Sequence, residues 1–134
     1  GADPVFHLIS AVIYRLENIS FCGRTDDILS AYKQGSLYVM TSRTEGFGLV
    51  LTEAKSCNLP TIAFDVEFGP GEIIEDGISG YLVEPFDCEK MAEKICLIEK
   101  PNIRKDFSNH AKDNLDHFSI EKFDQNWKWV IEHL

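Results

Sequence analysis

The chain has 134 residues, of which 44% are apolar and 26% are charged, as in one folded domain with a core rather than a disordered segment. Thirteen Lys and Arg residues face 22 Asp and Glu residues, and the formal net charge of −9 argues against nucleic acid or an anionic membrane as a partner. No apolar run approaches the roughly 20 residues of a membrane-spanning helix, and no signal-peptide pattern opens the chain.

The first 18 residues leave two interpretations open. Pro4 to Ser10 could form a strand, but Ala11 to Asn18 are fewer than the roughly ten to twelve residues that a crossover to the next parallel strand needs. The chain begins with Gly-Ala rather than Met, which suggests a fragment boundary. Residues 1–18 are therefore either a native strand and helix or the remnant of a truncation.

Short runs of apolar, β-branched or aromatic residues alternate with stretches of helical spacing. The helical spacing covers Ile28 to Tyr32 and Leu49 to Ala54. Continuous short runs of this kind are typical of strands that are buried on both faces of a parallel sheet. The sequence predicts an α/β fold with a doubly wound, Rossmann-like parallel sheet and helices on both faces. The four predicted strands are 19–22, 37–40, 61–64 and 80–83.

The last third of the chain predicts a helical tail. Asp87 and Ser119 are each placed to cap a helix, and Pro101 suits a first helical turn. Apolar residues recur at three- and four-residue spacing through these helices, so Trp127 and Trp129 are interpreted as packing residues.

The four cysteines are never in a C-x-x-C spacing and have apolar neighbours in the sequence. We expect buried free thiols in a reducing cytoplasm. The four histidines are dispersed, so no metal site is predicted. The cysteines are Cys22, Cys57, Cys88 and Cys96, and the histidines are His7, His110, His117 and His133.

The segment from Thr41 to Ala54 carries the candidate chemistry. After the predicted strand ends, Gly46-Phe47-Gly48 forms a Gly-x-Gly turn, and a helix is expected to begin near Gly48 or Leu49. The free N–H groups and positive dipole end of such a helix can bind an anion. Glu53 would lie about 7 Å into the helix at about 1.5 Å per residue. On these residues alone, a glycine turn flanked by two solvated glutamates is the competing interpretation.

This segment resembles retaining glycosyltransferases of family 4, whose hallmark is a Glu, seven residues and a second Glu. Glu45 and Glu53 have that spacing, and Glu-Gly-Phe-Gly-Leu is the usual form of the first half. Residues 54–63 are similar to the family's "EAxxxGxPxIA" run, with Asn58 in place of Gly, and both residues tolerate the left-handed angle of a helix end. Residues 69–74 and 76–83 are similar to "GPxEII" and "DGxxGxLV", and residues 21–28 to the strand and loop beside the nucleobase.

The resemblance implies the C-terminal, nucleotide-sugar-binding domain of a GT-B fold over residues 1–134, without the acceptor domain and the first part of its own sheet. It implies that Glu45 is the catalytic-site carboxylate at the transferred sugar. Gly46 and the main-chain N–H groups of Phe47, Gly48 and Leu49 would hold the sugar or diphosphate, and Glu53 would bind the ribose hydroxyls. Gly23 and Arg24 would border the base, although Arg24 could equally form a surface ion pair with a neighbouring Asp.

The implied reaction is transfer of a hexosyl unit from a UDP- or GDP-linked sugar to an acceptor hydroxyl, with retention and without a metal or other cofactor. Surface polysaccharide or glycolipid assembly in the cytoplasm is expected, with any membrane contact made by parts outside this chain. The isolated chain is expected to be inactive, and a second copy or the strand Val5 to Ile9 would close the incomplete sheet. The alternatives are a non-catalytic nucleotide-binding or regulatory α/β module and a purely structural domain.

Overall fold

A computed structural model describes residues 17–134 of the protein. The elements in chain order are α1 (Ile28–Gln34), β1 (Tyr38–Met40), α2 (Leu49–Ser56), β2 (Thr61–Phe64), α3 (Pro70–Ile73), β3 (Gly80–Val83), α4 (Cys88–Ile98), α5 (Pro101–His110), the 3-10 helix η1 (Leu115–Phe118) and α6 (Ile120–Glu132). None of these helices is both long enough and apolar enough to cross a bilayer.

The three strands form one parallel sheet in the order β1-β2-β3. Val39 pairs with Ile62, which in turn pairs with Tyr81. The central strand β2 is buried at every position, as its continuous apolar run predicts for a strand covered on both faces. Three of the four predicted strands are therefore confirmed.

Successive side chains of β2 supply two separate cores because they point to opposite faces. Ile62 and Phe64 pack with buried residues of α4 and α5 on one face. Ala63 packs with Leu51 of α2 and Ile73 of α3 on the other. The predicted fold class, a Rossmann-like parallel sheet with helices on both faces, is confirmed.

The predicted helix caps at Asp87 and Ser119 are confirmed. Each side chain accepts a hydrogen bond from a backbone N–H in the first turn, of α4 and α6 respectively, and Asp27, for which no cap was predicted, does the same for α1. At the end of α2, Asn58 has φ 60°, the left-handed angle expected there. Its N–H donates to Lys55 O, and that of Leu59 donates to Ala54 O, which together form a Schellman motif.

The predicted strand at 19–22 is wrong. This segment is irregular and exposed, and Ile19 and Phe21 leave nearly half of their surface in water. A strand exists only with a hydrogen-bonded neighbour, and no described residue pairs with this segment. β1 pairs only with β2 among the described residues, and the expected closing strand, Val5 to Ile9, lies outside them. A second copy at this edge stays a prediction.

Two burial expectations are also wrong. Cys22, Cys88 and Cys96 are exposed, although all four thiols are free, because apolar neighbours in a sequence need not be neighbours in space. On α6, Trp127 and Trp129 are 53% and 62% exposed. No described element covers the apolar side of this helix, which packs against η1.

Candidate functional site

The loops that follow β1 and β2 meet at the carboxyl edge of the sheet, where ligands of open α/β folds usually bind. Gly69, at the end of the second loop, has φ 92°, and a Cβ there would lie 2.1 Å from the carbonyl oxygen of Phe47 in the first loop. Only a residue without a side chain allows this approach. The loop after β2 therefore packs closely against the loop that carries the Gly-x-Gly turn.

Helix α2 begins at Leu49, as predicted, and its amino end is open. Gly48 precedes it with φ 90°, a left-handed angle suited to glycine, and no side chain caps the helix. The N–H of Leu51 donates a hydrogen bond to Gly48 O at 2.8 Å, while Leu49 is 66% exposed. Orphan amides at such an end form a general anion-binding geometry. The roles of Gly46, Phe47, Gly48 and Leu49 at this end stay predictions.

Glu53 lies one turn further into α2 and is half-buried. Its Oε2 accepts a hydrogen bond of 3.1 Å from the hydroxyl of Tyr32, a residue of α1 that is only 6% exposed. Burial raises the pKa of Tyr32, and the hydrogen bond to Glu53 raises it further, so the hydroxyl is a neutral donor at physiological pH. Sequence reasoning missed Tyr32, because 21 positions separate it from Glu53 and no periodic pattern links them.

The pKa of Tyr38 responds to both predicted glutamates. Burial raises its pKa, and the negative charges of Glu45 and then Glu53 raise it further. Its ring meets that of Tyr32 edge to face, with centroids 5.6 Å apart.

A fully buried lysine anchors the same helix. The Lys55 ammonium donates to Ile73 O, to Ser79 Oγ at 3.0 Å and to Asn114 Oδ1 at 3.0 Å. Burial lowers its pKa to about 8, opposed by the charges of Glu75 and Asp113. Sequence reasoning missed Lys55, because in the sequence it looks like an ordinary solvated helix residue.

Two further contacts reach the Gly-x-Gly loop. The rings of Phe47 and Phe118 of η1 meet edge to face at 5.0 Å, so the C-terminal segment packs on the loop. Arg43, which was also missed, holds its guanidinium 5.8 Å from the centroid of the Phe86 ring on the loop after β3. This contact joins the segment between β1 and the Gly-x-Gly turn to the loop after β3.

The predicted base-binding residues lie apart from these contacts. Gly23 and Arg24 are in the exposed segment before α1, and no contact among the described residues joins Arg24 to Glu45 or Glu53. The alternative ion pair of Arg24 with Asp26 or Asp27 is not formed either, and Asp27 caps α1 instead.

Two other regions do not contribute to this site. No three His, Cys, Asp or Glu side chains between residues 17 and 134 converge in a way that could hold a metal ion. A cavity of about 360 Å³ opens at the opposite edge of the sheet, lined by Ser36, Asn58 and Arg104 among others, and it contains neither glutamate.

Comparisons with known proteins show the family of the chain. Residues 10–114 match the family described as "Glycosyl transferases group 1". A curated relative from Staphylococcus aureus, named poly(ribitol-phosphate) alpha-N-acetylglucosaminyltransferase, is 33% identical over 112 residues, which are 82% of this chain and 23% of the relative. Across the first three curated relatives, the chain spans 18% to 33% of their length.

Solved structures share the fold. The crystal structure of S. aureus TarM is 30% identical, with a TM-score of 0.87 over 95% of this chain and 26% of TarM. Anabaena HepE in complex with UDP is 26% identical, with a TM-score of 0.86 over 97% of this chain and 37% of HepE. The chain therefore belongs to the group 1 glycosyltransferase family and has the Rossmann-like fold of GT-B enzymes.

Proposed function

We propose that this chain is the donor-binding domain of a retaining glycosyltransferase of family 4, which transfers a hexosyl unit from a nucleotide diphosphate sugar to an acceptor hydroxyl. The observation that carries the proposal is the uncapped amino end of α2, with the half-buried Glu45 before the helix and the half-buried Glu53 inside it. Amides suit a diphosphate, and carboxylates suit sugar hydroxyls.

In the proposed complex each group has a separate task. The carboxylate of Glu45 accepts hydrogen bonds from hydroxyls of the transferred sugar, and that of Glu53 accepts from the ribose. The main-chain N–H groups of Phe47, Gly48 and Leu49 face the diphosphate, where negative charge grows as the bond to the anomeric carbon breaks. Donors that are already fixed in place stabilise that charge without reorganisation, which lowers the barrier. No metal or other cofactor is part of this proposal.

We propose UDP-linked rather than GDP-linked sugars as donors, supported by the UDP bound to HepE. A surface polymer is the proposed product class, supported by the poly(ribitol-phosphate) substrate named for the S. aureus relative. The "alpha" in that name also supports retention, because an α-linked donor that yields an α-linked product keeps its anomeric configuration.

The acceptor-binding part of the enzyme is proposed to lie outside this chain. The chain corresponds to at most 33% of the length of the first three curated relatives, which supports this proposal.

Calorimetric titration tests the donor site. UDP should bind more tightly than GDP, and Glu45→Gln and Glu53→Gln should each weaken binding of the UDP-sugar by about tenfold or more, the equivalent of one hydrogen bond to a charged group. Glu121→Gln, an exposed change on α6, is the matched control. Binding that is unchanged in both glutamate variants would favour the non-catalytic module instead. NMR of the anomeric linkage in the product of the full-length enzyme tests retention.

A further inference from the structure

The hydroxyl of Tyr32 is held in one place by the fold. Its ring is 6% exposed and lies in a cluster with Ala54 and Leu59, and it meets the ring of Tyr38 edge to face. Helix α1, which carries it, is fixed at its start by Asp27, whose Oδ1 accepts from Ser30 N at 3.1 Å. A tyrosine with both torsions restricted by packing presents its hydroxyl with little freedom.

This fixed donor meets only one oxygen of the Glu53 carboxylate. The hydroxyl donates to Oε2 at 3.1 Å, and among the described residues no hydrogen bond is made to Oε1. An ionised carboxylate is only an acceptor, so Oε1 is available to a ligand hydroxyl.

Glutamate has three side-chain torsions, and a half-buried carboxylate without a partner would sample several orientations. One hydrogen bond from a rigid donor removes most of that freedom. A pre-oriented acceptor binds a ligand hydroxyl more tightly than a mobile one, because less ordering entropy is lost on binding.

We propose that Tyr32 is a positioning residue that orients the Glu53 carboxylate and thereby sets how strongly the protein prefers a ribonucleotide to its 2′-deoxy form. The inference rests on the proposed function, in which Glu53 accepts hydrogen bonds from the ribose. Tyr32 itself does not touch the nucleotide in this proposal and acts only through Glu53.

Calorimetric titration of the protein with UDP and with 2′-deoxy-UDP gives the test. We expect the wild type to prefer UDP by about tenfold or more, because a site built to bind a hydroxyl rejects an analogue that lacks it. Tyr32→Phe keeps the ring and removes the donor, and it should reduce this preference by about three- to tenfold, with little change in the affinity for 2′-deoxy-UDP. Glu53→Gln should reduce the preference at least as far.

Tyr81→Phe is the matched control, since it removes a tyrosine hydroxyl from β3, where the ring packs against Phe107 in the other core. It should retain the wild-type preference, and far-UV circular dichroism checks that every variant is folded. If Tyr32→Phe weakens both nucleotides equally, or changes the preference no more than Tyr81→Phe, the positioning role is overturned while the proposed function stands. If Glu53→Gln leaves the preference intact, the ribose assignment of Glu53 fails, and the inference fails with it.

Discussion

Replacing Lys55 by Met should change how the stability of the protein depends on pH. Lys55 is fully buried, and its pKa is about 8 in the folded protein, against 10.5 for a free lysine, because burial disfavours the charged amine. Between these two values the unfolded chain holds a proton that the folded protein has released. The free energy of unfolding must therefore rise with pH between these two values. Below about pH 8 both states hold the proton, so Lys55 no longer makes the free energy of unfolding depend on pH.

The size of the effect follows from the two pKa values. Between pH 7 and pH 9.5 the ionisation of Lys55 should add about 2 kcal/mol to the free energy of unfolding. Lys55→Met has no such group, so the wild type should gain about 2 kcal/mol on the variant over this range. The difference at pH 7 alone is less informative. It combines the loss of three hydrogen bonds with the removal of a buried charge, and these two effects oppose each other.

Urea unfolding followed by circular dichroism at several pH values, with a reductant for the free thiols, measures this difference. Lys105→Met removes an exposed lysine and serves as the control, with a difference from the wild type that should not change with pH. A Lys55→Met curve that runs parallel to the wild-type curve from pH 7 to pH 9.5 would refute the reasoning.

Three other predictions concern the loop, its support and the assembly. Gly69→Ala should lower the free energy of unfolding by about 3 kcal/mol or more, because its Cβ would collide with Phe47 O. The Cβ of Gly46→Ala meets no atom within 4 Å, so this variant should lower only the affinity for UDP. Thermal unfolding measures the first effect and titration with UDP measures the second. Phe118→Ala should weaken UDP binding a few-fold through the lost contact with Phe47, an aromatic pair worth about 1 kcal/mol, while Phe123→Ala on the exposed side of α6 should not. The isolated chain should show no sugar transfer and weak UDP binding, and detectable turnover would contradict this expectation. Light scattering separates the two ways of closing the sheet, because a dimer supports a second copy at the β1 edge and a well-behaved monomer removes that version.

The parts of the fold that the sequence predicts are those decided by neighbours in the chain. Asp87 and Ser119 cap helices through backbone groups three residues away, and the short run of β-branched and apolar residues from Thr61 to Phe64 forms a strand that is buried on both faces. The eight-position spacing of Glu45 and Glu53 likewise places one carboxylate before a helix and one inside it, by helix geometry alone.

What the sequence could not predict depends on partners distant in the chain. Residues 19–22 have the composition of a strand, yet a strand needs a neighbour, and composition does not supply one. Tyr32 and Lys55 become visible only when their partners, 18 to 59 positions away, are brought to them by the sheet crossovers.

The groups proposed to touch the sugar, the diphosphate and the ribose lie within one short segment, residues 45–53. The groups that hold this segment in place come from α1, from the loop ending at Gly69 and from Asn114 and Phe118. Removing a ligand-contacting group should abolish the whole interaction that it makes with the ligand. Removing a supporting group should only make the orientation of the ligand-contacting group less precise. Most support variants should therefore weaken all nucleotides alike. Tyr32 should differ because its donor acts on a single carboxylate, and so its loss should be felt at a single hydroxyl of the ligand.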